Sequence, residues 1–354
     1  MEFSRSLAKH GIRITFVNTE HIQKQIMDAL ATKDECDEIT GVVADHILGW
    51  TMEIAEQKGM RRAAFCDSAA AQLALRSNIQ KLIDEGIIDN DGEIIHYQLL
   101  KAMRNSNKET DVSFITNHAC RKHCNLGWDF IGNKTMQKIF FESTVRNKRL
   151  LNLSDWLLCN SAYDLEPAAF DFDPKIIPIG PLSVSNQLGD SVGSFWSEDL
   201  TYLNWLDRQP PQSVIYAAFG STTIFDRIQF HELAMGLELS NRPFFLVVRP
   251  DIKGINEAYP EGFLDRVASC GYIINWAPQQ KVLGHPSIAC FMSHCGWNST
   301  MEGIIAQDEI KSKVLDNGRH KANAMDLKEK AMNSIKEGGG SCNDFNNFVE
   351  WLKA

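Results

Sequence analysis

No apolar run in the 354-residue sequence approaches the length needed to cross a bilayer, which argues against a membrane-spanning protein. The opening residues Met1 to Ser6 lack a charged segment followed by an apolar stretch, so they do not read as a secretory signal. No Gly-x-Gly-x-x-Gly stands at a strand-to-helix turn, which ranks a Rossmann-type oxidoreductase far down, and a Walker-type phosphate loop is also missing. Basic residues are in the minority, 36 against 45 acidic, for a net charge of -9. Nucleic acid and anionic membranes reward clustered Lys and Arg, so neither is expected as a partner. No obligate protein partner is indicated, and repeats and low-complexity tracts are absent. The nine cysteines are odd in number and scattered, which points to free thiols in a reducing cytoplasm rather than to a disulfide framework. His118, Cys120, His123 and Cys124 lie close together, but no second ligand pair follows at zinc-finger spacing, and no metal is expected.

What is present is the composition of a globular protein, 44% hydrophobic and 23% charged, in a chain too long for one ordinary core. Two domains are expected. Short apolar runs recur at residues 13–18, 41–44, 156–160, 175–179, 213–219, 244–248, 272–275 and 288–292. Most are continuous rather than alternating, as for strands buried on both faces of a parallel sheet. Helical patterns such as 229–239 and 321–334 lie between them, so the fold class is α/β with parallel sheets. After Gly180 and Pro181 the chain turns rich in Ser, Gly and Asn and loses its apolar period, as a linker does. The expected layout is a first domain over residues 1–180, a linker over 181–198 and a second domain over 199–340. A terminal helix over 341–354 would place Phe345, Phe348, Val349 and Leu352 on one face.

The most informative stretch runs from Trp276 to Glu302. The apolar run Ile288 to Met292 leads into Ser293, His294 and Cys295, Gly296 permits a tight turn, and Trp297, Asn298 and Ser299 open a helix with a capping-type Asn-Ser pair. A strand–turn–helix junction gathers backbone N–H groups and the positive end of a helix dipole at one point, a natural seat for phosphate. His294, Asn298 and Ser299 add side-chain donors there, at the carboxyl end of a parallel strand, where open α/β sheets bind ligands. Upstream, Trp276, Ala277, Pro278 and Gln279 form a stiffened loop. Its indole offers a flat face for a base, and its amide offers a donor and an acceptor. Glu302, one helical turn further on, suits ribose hydroxyls. Each residue alone is more often packing, a cap or a satisfied polar group; the ordered set carries the reading.

This run resembles the first part of the signature box of plant secondary-product glycosyltransferases, the UDP-glycosyltransferase family, and the 83A-type subgroup within it. The resemblance extends over nearly all of the chain. Phe219 to Thr222 look like the family's Gly-Ser turn after the first strand of its second domain, and residues 14–19, 156–160, 178–181, 205–207 and 247–250 also fit. It implies a GT-B arrangement: two Rossmann-like domains with parallel sheets facing across a cleft, both incomplete here. It implies transfer of a sugar, expected to be glucose, from a UDP-sugar co-substrate to a small lipophilic acceptor, with inversion and without a cofactor. Under the same resemblance, Trp276 stacks on uracil beside Ala277, and Gln279 lies near base and ribose. Ser221, His294, Asn298 and Ser299 hold the diphosphate at the Gly296 turn, Trp297 borders the sugar, and Glu302 holds the ribose.

Asp45, just after the 41–44 run, matches the family aspartate that orients a histidine general base. That histidine belongs to a Gly-His turn after the family's first strand, and the chain starts past that point; His10, His21 and His46 do not match the motif. Between Leu30 and Gly41 the chain is much shorter than the family pattern. After Gly303 the box stops before the Gly-Val-Pro strand and the acidic-Gln pair that hold the sugar hydroxyls, and Gln307-Asp308 only superficially resembles that pair. The alternative expectation is therefore a UDP-binding remnant of the family, catalytically impaired or inactive, from an incomplete gene model or a splice variant.

Overall fold

A computed structural model describes residues 2–15, 39–93, 134–182, 201–221, 223–249, 259–306 and 318–354. They group into two compact units: one holds the described residues up to Leu182 together with Asn333–Ala354, the other those of Ser183–Met332. The His118–Cys124 cluster and the 181–198 linker beyond Leu182 lie outside the described residues.

In the first unit, β1 (Gly41–Asp45), β2 (Arg61–Cys66), β3 (Trp156–Cys159) and β4 (Ile176–Pro178) form a parallel sheet in the order β1-β2-β3-β4. β2 escapes the apolar pattern because it opens on two arginines. Only Ala63, Ala64 and Cys66 are fully buried in it, while Arg62 pairs with Glu56 and Asp155 and Arg61 donates to the Leu352 carbonyl. The strand expected at 13–18 is not seen in its described part, since residues 12–15 have no regular secondary structure. His10 follows the helix Glu2–Lys9, and its Nδ1 lies 2.8 Å from the Ser6 carbonyl, so it serves the helix end.

The helix Gly340–Lys353 belongs to this unit. It lays Phe345, Phe348 and Val349 against Phe3, Leu7, Ala63, Leu158 and Ile179. The Phe348 ring sits 5.9 Å from Phe3 and 5.4 Å from Trp156 between centroids. The apolar face expected at helical spacing thus enters a core that the first helix and the parallel sheet also build.

In the second unit, β5 (Val214–Ala218), β6 (Phe244–Val247), β7 (Gly271–Ile274) and β8 (Ile288–Ser293) form a parallel sheet in the order β7-β6-β5-β8. Side chains alternate across a strand, and here both faces are covered. Ile215 and Ala217 enter one core; Val214, Tyr216 and Ala218 enter the other. This explains the continuous apolar runs. β5 is central: the chain steps outward from β5 to β6 and β7, then crosses back to lay β8 on the other side of β5. Such a switch in strand order opens the crevice where α/β sheets take ligands.

No described helix is long and apolar enough to cross a membrane. Cys66, Cys159, Cys270, Cys290, Cys295 and Cys342 are free thiols, as expected for the described cysteines.

Candidate functional site

β5 and β8 end in register, Ala218 opposite Ser293, so the turns that follow them lie side by side. Gly220 has φ +68, and a Cβ there would come within 2.5 Å of His294 Cε1. Gly296 presses on the same edge of the ring: its Cβ would lie 2.9 Å from Cε1 and closer still to Nε2. Two residues without side chains therefore let two turns close on one imidazole. The His294 Nδ1 is buried without a hydrogen-bond partner, and burial holds the ring's pKa below the usual histidine value. At neutral pH His294 is an uncharged ring with one N–H to give.

Gly296 is also the N-cap of the helix Trp297–Ile305, and no side chain caps it. Asn298 and Ser299 therefore do not cap this helix, as the sequence had suggested; they stand within its first turn. A side chain at the cap would occupy a first-turn N–H. Here the helix starts without one, beside His294 and the turn carrying the exposed Ser221.

A second cluster sits one turn along that helix. Gln279 Nε2 donates to Glu302 Oε2 at 2.6 Å and lies 3.1 Å from Ser299 Oγ, while Gln280 Nε2 donates to Glu302 Oε1 at 3.2 Å. From below, the Tyr216 hydroxyl donates to Gln279 Oε1 at 3.4 Å, and burial raises the Tyr216 pKa so that it stays a neutral donor. Both Glu302 oxygens are thus oriented by amides. Tyr216 and Gln280 were not foreseen as site residues. A tyrosine inside a continuous apolar strand is the signal that would have revealed the first, since a buried phenol needs a partner. Trp276 is half-buried in the same loop, three residues before Gln279, while Ala277 packs into the core with Val282 and Leu283. Trp297 is half-buried and Asn298 exposed.

In the first unit, Asp45 closes β1. Burial works against its ionisation, but hydrogen bonding by His46 and the Ile47 N–H, with the charge of Arg76, holds its pKa below the usual carboxylate value. His46 lies beneath it, 4% exposed, with Nδ1 3.1 Å from Asp45 Oδ1 and Nε2 2.7 Å from Arg76 Nη1. Burial opposes a charge on this ring, while Asp45 and Cys66 favour one and would lift its pKa to about 9. A second proton would, however, face the guanidinium, which can only donate. The contact with Arg76 needs a bare Nε2, so the ring is neutral with its proton on Nδ1. Asp45, His46 and Asp67 bring potential ligand atoms within 4.8 Å of one another, but the Arg76 guanidinium against the His46 Nε2 sets a positive charge beside the group, which disfavours a cation there. Two residues past Asp45, Ile47 and Trp50 line a recess of about 760 Å³ with Glu53, Ser143, Val145, Arg146 and Asn147.

Comparison with known proteins gives these features a common source. The sequence profile described as "UDP-glucoronosyl and UDP-glucosyl transferase" matches residues 211–328, which take in the two turns and the Gln279–Glu302 cluster. UDP-glycosyltransferase 83A1 of Arabidopsis thaliana is 33% identical over 455 residues, covering 100% of this chain and 93% of that protein. An alignment of 455 positions against 354 residues leaves at least 101 with no counterpart here. UDP-glucosyltransferase 102 of Panax ginseng is 32% identical over 84% of this chain, which spans 62% of that relative's length. Among solved structures, a transferase from Siraitia grosvenorii in complex with UDP is similar with a TM-score of 0.63 and 25% identity, over 89% of this chain and 78% of that one. The fold is therefore that of the GT-B glycosyltransferases, and the chain belongs to the plant UDP-glycosyltransferase family.

Proposed function

We propose that the protein binds a UDP-sugar in its second unit and transfers the sugar, glucose by preference, to a small lipophilic acceptor with inversion. One observation carries this reading: the turns after β5 and β8 close on His294 at the uncapped start of the helix Trp297–Ile305, one helical turn from the oriented Glu302 carboxylate. The turns, the ring and the helix start suit a diphosphate; a carboxylate held by two amides suits a ribose diol. Trp276 serves as the platform for uracil and Trp297 borders the sugar. Asp45 is the catalytic carboxylate, and the recess beginning at Ile47 is the acceptor side. The location is cytoplasmic, and no metal or cofactor takes part.

A second reading, UDP binding without turnover, is favoured by His46. It is the histidine beside Asp45, yet one nitrogen faces Asp45 and the other faces Arg76, so neither can take a proton from an acceptor. The two readings separate by measuring UDP and UDP-glucose binding calorimetrically, then UDP release with a panel of phenolic acceptors. Binding with release that disappears in Asp45→Asn supports transfer. Binding without release supports the remnant, and absence of binding sinks both.

The state of His294 adds a pH dependence. The free ring is neutral, its pKa depressed by burial, and a phosphate oxygen beside it favours the charged form, so the complex takes up a proton as pH falls. Affinity for UDP-glucose, whose diphosphate stays ionised near neutral pH, is expected to rise as pH falls from neutral towards the depressed pKa of the free ring. Titrations across that range should show a slope in the wild type and none in His294→Gln. A flat wild-type profile would place His294 away from the phosphates.

A further inference from the structure

We infer that Arg249 is a positioning residue for the diphosphate, acting through the turn that follows β5; this rests on the UDP-sugar reading above. Arg249 lies just past β6, the strand beside β5, so its side chain reaches across to the loop leaving β5. Nη1 donates to the Gly220 carbonyl and Nη2 to the Thr223 carbonyl, each at 3.3 Å. One planar fork thus ties both ends of the turn that carries Ser221.

The peptide group turns this tether into an orientation. In a trans peptide the N–H of the next residue points opposite to the carbonyl. With the Gly220 and Thr223 carbonyls drawn to Arg249, the N–H groups of Ser221 and Ile224 face away from the guanidinium. Gly220 itself abuts the His294 ring, with φ +68 and no room for a Cβ. A turn that slackened would lose both its contact with His294 and the direction of its N–H groups. Arg249 also sets a permanent positive charge behind a turn meant for an anion, in a chain whose net charge is -9. Lysine cannot reproduce the arrangement: it supplies the charge on a single point and lacks the fork.

The test compares equilibrium binding of uridine and UDP to the wild type, Arg249→Met and Arg249→Lys, with thermal unfolding of each. Arg249→Met should weaken UDP roughly tenfold, the scale of one lost charge-assisted contact, while uridine affinity stays within about twofold. Arg249→Lys should recover part of the UDP affinity by restoring charge, without reaching the wild type. A parallel loss for uridine and UDP would show a general structural role and overturn the inference, as would unchanged UDP affinity in Arg249→Met. If the methionine variant does not fold, Arg249→Lys carries the same comparison: UDP must weaken more than uridine. A wild type that fails to bind UDP overturns the nucleotide reading itself, whereas wild-type binding that survives the substitutions overturns only the role of Arg249.

Discussion

Gly296→Ala is expected to weaken UDP binding by about ten- to a hundredfold while leaving the fold intact. The backbone of Gly296, at φ -60 and ψ 149, is open to any residue, so the substitution carries no conformational strain. What it adds is a methyl group against the Nε2–Cε1 edge of His294. The ring is the softer party and must move. If His294 holds the diphosphate as proposed, a displaced imidazole forfeits a hydrogen bond to charged phosphate, worth about 1.5–3 kcal/mol, and tenfold in affinity is about 1.4 kcal/mol. A thermodynamic cycle makes the mechanism specific. If Gly296 acts only by seating His294, then His294→Ala weakens UDP by a similar factor and the double variant is no worse than His294→Ala alone. Calorimetric titrations of the four proteins check this. Additive losses would mean that the two residues contact the nucleotide independently.

Phe348→Ala is expected to lower stability by about 3–5 kcal/mol, the usual cost of emptying a buried phenylalanine site. Phe348 is fully buried and touches rings from three separate stretches: Phe3, Trp156 and Trp351. Rigid rings on three sides collapse poorly into a cavity, which argues for the upper half of that range. Denaturant unfolding followed by tryptophan fluorescence would report the loss directly, because Trp156 and Trp351 both border the site. A change below about 1 kcal/mol would mean that the helix Gly340–Lys353 is not docked as described.

The second unit was largely readable in the sequence. β5 and β6 are buried almost throughout, and β7 and β8 beside them are still largely apolar, so each announces itself as an apolar run, and glycines, His294 and Gln279 stand at the ends of such runs. The helices Arg227–Leu239 and Gly318–Ile335 overlap the expected 229–239 and 321–334 within a few residues. The first unit was less readable. β2 begins with Arg61 and Arg62, whose charges are satisfied by Glu56, Asp155 and a carbonyl near the end of the chain, partners that no local pattern reveals. The site shows the same limit. His294 and Glu302 belong to a recognisable run, but the hold of Tyr216 on Gln279, and of Arg249 on the β5 turn, joins residues from separate strands and depends on strand order. The Asp45–His46–Arg76 chain is hidden for the same reason: adjacency of 45 and 46 says nothing of a guanidinium thirty positions on.

The helix Gly340–Lys353 closes a core begun by Phe3. During synthesis, then, the early half of this protein waits on the ribosome with one wall missing until nearly everything else has emerged. Expression of residues 1–182 alone would leave Phe3, Leu158 and Ile179 wet, and should yield aggregates that a supplied peptide spanning 340–353 could rescue.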